Sequence, residues 1–155
     1  MLTLSRLRTL EAAAALVVCG VLLRIVPFAF IARLAGITER GGHEHVPLPL
    51  TRDPRAAVVG RAVNRAAGKL PWHSGCLVRA LAGRVMLARR RVPSILVLGV
   101  AMQSCEVTAH AWLIAGDGAV CGGREAPNFS PIVAFRAGRH PLFPEREKSL
   151  PPLSR

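Results

Sequence analysis

The chain has 155 residues, enough for one domain of ordinary size, and its 51% apolar content excludes an intrinsically disordered chain. A formal net charge of +12 implies acidic partners, but five Phe, two Trp and no Tyr supply few aromatic platforms for bases, so nucleic acid is not an expected partner. The four cysteines contain no C-x-x-C pair, which excludes the usual zinc-ribbon and thioredoxin patterns and favours free thiols in a reducing compartment. Spacing alone leaves a Cys105–Cys121 disulfide open.

The N-terminal region contains an uninterrupted apolar run over residues 12–23, AAAALVVCGVLL. This run is too short for a membrane-spanning helix, which needs about 20 residues. The apolar character continues to residue 37, but Arg24, Pro27 and Arg33 interrupt it. We predict a pair of apolar helices that break near Pro27 and pack on the main domain. Attachment to a membrane surface through residues 10–37 and a cleaved signal peptide stay open.

A Gly- and Pro-containing stretch, GGHEHVPLPLT, indicates a linker over residues 41–52. His43 and His45 have no third ligand nearby, so they do not predict a metal site. Asp53 and Pro54 then have the pattern of an N-cap followed by the first helical position, which predicts a helix that ends near Gly68. The predicted organisation is an apolar helical segment over 1–40, the linker, a core over 53–137 and a Pro-rich charged tail over 138–155.

A second helix is predicted to begin at or just before Cys76. Its apolar stripe comprises Leu77, Leu81, Val85 and Ala88, and its arginines lie off that stripe or at the C-terminal end. After Pro93 the pattern changes to strands, in the stretches SILVLGVAM, EVTAHAWLIAG, AVCGG and PIVAF. Gly116-Asp117-Gly118 is predicted to form a hairpin turn. The fold class is therefore α+β, with helices followed by an antiparallel sheet.

Cys76 and His110 occupy positions that suit nucleophilic catalysis. The N-terminus of a helix lowers the pKa of a thiol through its unpaired N–H groups, and a neighbouring imidazole can accept the thiol proton. The same N–H groups can stabilise an oxyanion. Two other interpretations stay open: a small buried thiol beside a hydrogen-bonded core histidine, and a metal site that adds Cys105 or Cys121, although no close ligand pair supports it. We expect neither a metal nor a cofactor.

These segments resemble a known family. The stretches are LPWHSGCLVRALAGRVMLARRRVPSILVLGV, TAHAWLIAGDGAVCGG and, at the N-terminus, LEAAAALVV with RIVPFAFIARL. They are similar to the leader-peptidase B proteins of lasso-peptide biosynthesis, in the transglutaminase-like, papain-related cysteine-protease superfamily. The resemblance implies an antiparallel sheet against a central helix that carries the nucleophile at its N-terminus. It also implies Cys76 as nucleophile and His110 as general base, while Trp72 either contributes to the oxyanion hole or only packs.

The implied activity is removal of the leader from a ribosomally made precursor peptide. The implied partners are the precursor, a separate leader-recognition protein and an ATP-dependent lasso cyclase. The chain resembles the stand-alone peptidase form, and we expect it in the cytoplasm, with or without membrane association. Two alternatives stay open: a non-catalytic scaffold of the same fold with a degenerate triad, and an enzyme that forms or hydrolyses amides on another substrate.

The chain departs from the family at the third catalytic residue. The family usually has an Asp about a dozen residues after the histidine, where this chain has Cys121-Gly122-Gly123. If Asp117 and Gly118 are the two turn residues, Gly116 pairs with Ala119 and Glu125 lies opposite His110. Glu125 is then the favoured orienting acid and Asp117 the alternative. A backbone carbonyl, or no acid at all, also stays open.

Overall fold

The computed structural model describes residues 2–27, 37–40, 53–72, 74–103 and 105–137. Within these ranges, the helices are α1 (Leu2–Ile25), α2 (Pro54–Ala67) and α3 (Cys76–Arg89). The strands are β1 (Ile37–Arg40), β2 (Ile95–Gln103), β3 (Glu106–Ala115), β4 (Gly118–Cys121) and β5 (Ser130–Ala137). A 3₁₀ turn over Ala126–Asn128 precedes β5.

The strands form one sheet in the order β1-β5-β2-β3-β4, and every neighbouring pair is antiparallel. The predicted α+β class, with helices against an antiparallel sheet, is confirmed. Residues 37–40 differ from the prediction, which placed them in the N-terminal helical segment. They form β1, where Ile37 pairs with Ala137, the last residue of β5. Ile37 and Thr38 are β-branched residues, which favour strands. The linker over 41–52 and the tail over 138–155 lie outside the described residues.

The N-terminal helix belongs to the same core as the rest of the protein. Its buried residues Ala12, Leu16 and Cys19 pack in the cluster formed by α2, α3 and one face of the sheet. The helix ends at Ile25, two residues before Pro27, as the break near that proline predicts. The predicted second apolar helix after Pro27 falls mostly on residues outside the described ranges. Within those ranges, no helix combines the length and hydropathy that a membrane crossing requires.

The helix after the linker begins as its sequence predicts. The Asp53 carboxylate accepts a hydrogen bond from the backbone N–H of Arg55, and Pro54 occupies the first helical position. The helix ends before Gly68, whose N–H donates to the carbonyl of Asn64. The capped N-terminus of α2 differs from that of α3, which carries the candidate nucleophile.

The predicted apolar stripe of α3 is wrong in part. Leu81 is buried, but Val85 is 45% exposed and Ala88 is exposed, whereas Arg84 is buried. The reason is that α3 contacts α1 and α2 as well as β3 and β4, so more than one side of it is covered. The guanidinium of Arg84 donates to the carbonyl of Ser94 at 3.2 Å, and burial lowers the pKa of Arg84.

The sheet has hydrophobic residues on both faces. One face carries Leu96, Ala111 and Leu113 into the main core cluster, together with the helices. The opposite face carries an outer cluster, which consists of Ile95, Val97 and Trp112 with Ile114, Ala126, Phe129 and Ala134 packed against them. Because side chains alternate along a strand, His110 projects on the same face as Trp112. The outer cluster therefore determines the surroundings of His110.

An ion pair fixes α1 to the end of α3. The Glu11 carboxylate accepts hydrogen bonds from Arg89 and Arg90, and these bonds hold the pKa of Glu11 below its ordinary value of 4.5. A carboxyl whose pKa is lowered by folding stabilises the fold above its unfolded pKa and loses that contribution as the pH falls through the folded value.

We therefore expect Glu11→Gln to lower the free energy of unfolding by about 1 kcal/mol near pH 7. The difference from the wild type should vanish well below pH 4.5, and denaturant unfolding at several pH values measures it. Glu106→Gln, at an exposed position of β3, is the matched control and should have little effect. An equal effect of Glu11→Gln at neutral and acidic pH would show that packing, not charge, is lost.

Candidate active site

Cys76 is the first residue of α3. Gly75 occupies the N-cap position, and within the described residues no side chain caps the first turn. The first backbone bond of the helix runs from the N–H of Arg79 to the carbonyl of Gly75 at 3.1 Å. The N–H groups that precede it, those of Cys76, Leu77 and Val78, are therefore not used by a cap. Such groups can receive an anion or an oxyanion.

The loop before Cys76 is fixed by a polar contact. Ser74 is buried, and its hydroxyl accepts a hydrogen bond from Nε of Arg79 at 3.1 Å. Cys76 itself is half-buried and packs against the main core cluster. Trp72 lies in the same loop with 48% of its surface exposed. The structure thus places Trp72 near the start of α3 but not as a buried packing residue.

The His110 ring packs against two aromatic rings. It stacks on Phe129 with 4.9 Å between ring centroids and on Trp112 with 6.0 Å between centroids. Only 11% of the His110 side chain is exposed. The ring orientation is therefore restricted by packing against both aromatic rings.

A backbone carbonyl binds one nitrogen of this ring. Nε2 of His110 lies 2.9 Å from the carbonyl oxygen of Gly122. A carbonyl can only accept, so Nε2 carries the proton and Nδ1 of the neutral ring is an acceptor. No hydrogen bond to Nδ1 occurs within the described residues. The Gly122 carbonyl thus occupies the place of an orienting group, one of the alternatives that the sequence left open.

Gly122 reaches this position only because it lacks a side chain. Its φ is +70°, in the left-handed region that favours glycine. A Cβ at this position would lie 2.6 Å from the carbonyl oxygen of Ala111 and 3.1 Å from Nε2 of His110. Gly122 therefore brings its backbone, in a conformation that other residues rarely adopt, against the histidine.

Glu125 also lies near His110, but the two residues are not paired across neighbouring strands, as the predicted register required. Its carboxylate oxygen is 3.9 Å from Nε2 of His110, beyond hydrogen-bond distance, and its side chain is 56% exposed. Glu125 is the residue before the 3₁₀ turn and not part of a strand. The proximity arises because the chain folds back after Cys121, where β4 ends.

The predicted hairpin register is wrong. Ala115 pairs with Gly118 and Ile114 with Ala119, so Gly116 and Asp117 are the two turn residues. Gly116 has a φ of +64°, which explains why the glycine takes the first turn position. An irregularity between Leu113 and Ile114 shifts the register once more. Equal spacing of paired residues, on which the prediction depended, does not hold across that irregularity.

Asp117 is separated from the histidine by the length of the strand. Ala115 lies five residues after His110 on β3, a rise of roughly 17 Å, and Asp117 follows in the turn. The structure therefore does not bring the alternative orienting acid to His110.

Cys76 and His110 belong to elements that contact each other. A Cβ at Gly83 of α3 would be 2.9 Å from Cδ2 of Leu113 on β3. The helix packs on the face of the sheet that carries Ala111 and Leu113, whereas His110 projects from the face that carries Trp112. No hydrogen bond joins the two side chains within the described residues: Cys76 contacts the main core cluster, and His110 contacts the outer cluster.

The other three cysteines have different surroundings. Cys121 is buried, and burial raises the pKa of its thiol to about 12, against a smaller opposite effect of the Arg79 charge. Burial also raises the pKa of Cys19. Cys105 is exposed. All four cysteines are free, so the structure has no Cys105–Cys121 disulfide. Across the described ranges, no three His, Cys, Asp or Glu residues are arranged to hold a metal ion.

Sequence reasoning did not identify the groups that hold the His110 ring. Trp112 and Phe129 were assigned no role at the site, and the Gly122 carbonyl was one unnamed alternative. The Gly122-Gly123 pair after a short strand was the available signal, because paired glycines often mark a backbone that approaches another group closely.

Comparison with known proteins gives one match. A family model described as the transglutaminase-like superfamily matches residues 13–134, a range that includes most of α1, all of α2 and α3, and nearly all of the sheet. No curated protein and no solved structure matches the chain significantly.

Proposed function

The chain belongs to the transglutaminase-like superfamily, and on that premise we propose that it is a cysteine peptidase that removes the leader from a ribosomally synthesised precursor peptide during lasso-peptide maturation. The observation that carries the proposal is the position of Cys76 at the N-terminus of α3, where Gly75 supplies no side-chain cap. The histidine of the proposed site is His110, whose Nε2–H is bound by the Gly122 carbonyl. The superfamily includes cysteine peptidases, and the sequence resemblance to leader peptidases supports the finer assignment.

In the first half of the reaction, the Cys76 thiol transfers its proton to Nδ1 of His110, and the thiolate attacks the carbonyl carbon of the scissile peptide bond. The oxyanion that forms accepts hydrogen bonds from the N–H groups at the start of α3. The imidazolium then returns the proton to the leaving nitrogen. The leaving group is the core peptide with a new amino terminus, and the leader remains on Cys76 as a thioester.

In the second half, His110 takes a proton from water, and the resulting hydroxide attacks the thioester carbonyl. The carbon–sulfur bond breaks, the leader leaves with a carboxyl terminus, and the thiol is restored. Both halves require Sγ of Cys76 to approach Nδ1, the ring nitrogen that has no hydrogen bond within the described residues. The reaction involves neither a metal nor a cofactor.

The Gly122 carbonyl and Glu125 have separate roles in this proposal. The carbonyl fixes the tautomer that leaves Nδ1 as the proton acceptor. The Glu125 carboxylate, 3.9 Å away and largely exposed, stabilises the imidazolium weakly because water screens its charge. In this proposal, Cys76, His110 and the Gly122 carbonyl act together as a triad, and the backbone carbonyl has the role that an Asp side chain usually has.

The proposed partners are the precursor peptide, a separate leader-recognition protein and the ATP-dependent lasso cyclase that receives the new amino terminus. A recognition protein raises the local concentration of the precursor at the peptidase, which compensates for weak binding by the peptidase alone. The net charge of +12 suits an acidic leader or an acidic partner.

We predict that cleavage of the precursor depends on the recognition protein. With both proteins present, cleavage at low precursor concentration should be at least about 10² times faster than with the peptidase alone. The ratio of the two rates should fall as the precursor concentration rises, because the peptidase alone then meets the precursor as often as it does when the recognition protein holds the precursor nearby. Chromatography with mass spectrometry measures the rates. Equal rates at low precursor concentration would contradict the role of the partner without removing the peptidase activity.

A second candidate function is a non-catalytic scaffold with the same fold. Two observations favour it: the chain has Cys121-Gly122-Gly123 where the resembled family usually has an Asp, and no hydrogen bond joins Cys76 to His110 within the described residues. An amide-processing enzyme with another substrate would use the same Cys76 and His110. A scaffold leaves the precursor intact in the assay above at every concentration. The amide-processing enzyme also leaves the precursor intact but retains a Cys76 that reacts with small electrophiles.

A further inference from the structure

The outer face of α1 is apolar and has no neighbour among the described residues. The helix buries one side against α2 and α3, and on the other side its aliphatic residues are exposed by 38% at Val17 to 75% at Ile25. We call these exposed aliphatic residues the α1 stripe; they are Leu4, Leu7, Leu10, Val17, Val18, Val21, Leu22 and Ile25.

The stripe follows one side of the helix. Successive steps of three, eight, three and four residues connect Leu7, Leu10, Val18, Val21 and Ile25, and at 100° per residue these side chains lie within about 80° of one another. The exposed Ala14 lies in the interval between Leu10 and Val18. From Leu7 to Ile25 the helix rises roughly 27 Å. Monomeric soluble proteins rarely expose an apolar patch of this extent unless it binds a partner or a membrane.

The polar residues around the stripe are basic. Arg6, Arg8 and Arg24 are exposed on α1 itself. The only acidic residue of α1, Glu11, is paired with Arg89 and Arg90. Beside α1, a groove of about 210 Å³ runs against α2 and contains three arginines; it is lined by Ser5, Arg8, Val58, Arg61, Ala62 and Arg65. This charge distribution suits phosphate groups.

We propose that the outer face of α1 binds an anionic membrane surface. The stripe enters the boundary between headgroups and acyl chains, and the flanking arginines bind lipid phosphates. The helix lies in the plane of the membrane, because its opposite side is packed on α2 and α3. A lipid surface fits better than a protein, since the stripe is wholly aliphatic, whereas the cores of protein interfaces are enriched in aromatic residues. This proposal is independent of the peptidase activity.

The test is co-sedimentation of the full chain with vesicles of phosphatidylcholine alone or mixed with phosphatidylglycerol. The stripe variant combines Leu7→Gln, Val18→Gln and Val21→Gln, at positions that are 61%, 55% and 50% exposed. The matched control combines Met102→Gln, Val107→Gln and Ile132→Gln, which are 71%, 70% and 56% exposed on the sheet. A charge variant combines Arg6→Gln with Arg24→Gln. Circular dichroism checks that each variant is folded.

We expect the wild type and the control to bind the anionic vesicles, and the stripe variant to bind at least about 10-fold more weakly. The charge variant should lose the preference for anionic over neutral vesicles, and added salt should weaken binding of the wild type. Unchanged binding by the stripe variant would overturn the proposal. Failure of the wild type to bind the anionic vesicles would also overturn it. If the wild type is then found to be a dimer and the stripe variant a monomer, a second copy of the chain, and not a membrane, covers the stripe.

Discussion

Cys76→Ala and His110→Ala should each reduce single-turnover cleavage of the precursor by about 10⁴-fold or more, to the background rate. The thiol forms the bond to the substrate, and the imidazole moves the proton in both halves of the reaction, so removal of either stops the same sequence of steps. For the same reason, the double variant should be no slower than either single variant.

Cys105→Ala is the matched control, because Cys105 is a free and exposed thiol outside the proposed site. It should retain the wild-type rate. Thermal unfolding followed by circular dichroism distinguishes loss of the reactive group from loss of the fold. Appreciable cleavage by folded Cys76→Ala would remove the thiol from the mechanism.

The second large effect is expected at Gly122. Gly122→Ala adds a Cβ where the carbonyl oxygen of Ala111 would be 2.6 Å away, at a φ of +70° that alanine rarely adopts. The backbone must shift, and the carbonyl that binds Nε2 shifts with it. We expect cleavage to fall by about 10² to 10³-fold. This is less than the roughly 10⁴-fold loss that follows removal of an orienting carboxylate, because a carbonyl carries no full charge. Gly118→Ala is the matched control, since a Cβ there would have no atom within 4 Å.

Glu125→Gln distinguishes the contribution of the Gly122 carbonyl to catalysis from that of the Glu125 carboxylate. The carboxylate oxygen is 3.9 Å from Nε2 and mostly exposed, so we expect a loss of at most about 10-fold. Asp117→Asn, in the hairpin turn away from His110, should be nearly silent. A loss at Glu125→Gln that exceeds the loss at Gly122→Ala would assign the orienting role to the carboxylate.

Nitrogen NMR of His110 gives a readout that a purely structural role of Gly122 would not change. The 2.9 Å contact with the carbonyl predicts a neutral ring protonated at Nε2, with Nδ1 bare. Gly122→Ala should shift this tautomer balance, whereas Gly118→Ala should leave it unchanged. A wild-type ring protonated at Nδ1 would contradict the role of the carbonyl.

The main elements could be predicted from the sequence because local chemistry determines them. Asp53-Pro54 predicts the start of α2 from capping alone, and the change from helical spacing to β-rich runs after Pro93 predicts the sheet. The position of Cys76 at the start of α3 followed from the Pro- and Gly-containing loop before it. Each of these inferences depends on residues close together in the chain.

The parts that failed depend on tertiary contacts. The buried sides of α3 could not be read from one stripe, because the helix packs between other helices and the sheet and even Arg84 is buried. The hairpin register failed at the irregularity beside Leu113, which a count of residues does not reveal. The orienting group was missed because a backbone carbonyl leaves no side-chain signature; only the glycine that permits its approach appears in the sequence.

The most direct test of the central claim, that Cys76 is an activated nucleophile, is alkylation with iodoacetamide at pH 6–7 followed by peptide mapping and a cleavage assay. We predict that Cys76 is labelled first and that cleavage is lost in proportion to its labelling. Cys105 should react more slowly, because exposure alone does not activate a thiol. Cys19 and Cys121, whose thiol pKa values burial raises, should stay unlabelled until the protein unfolds. Labelling of Cys105 ahead of Cys76, or full cleavage activity after Cys76 is alkylated, would contradict the claim.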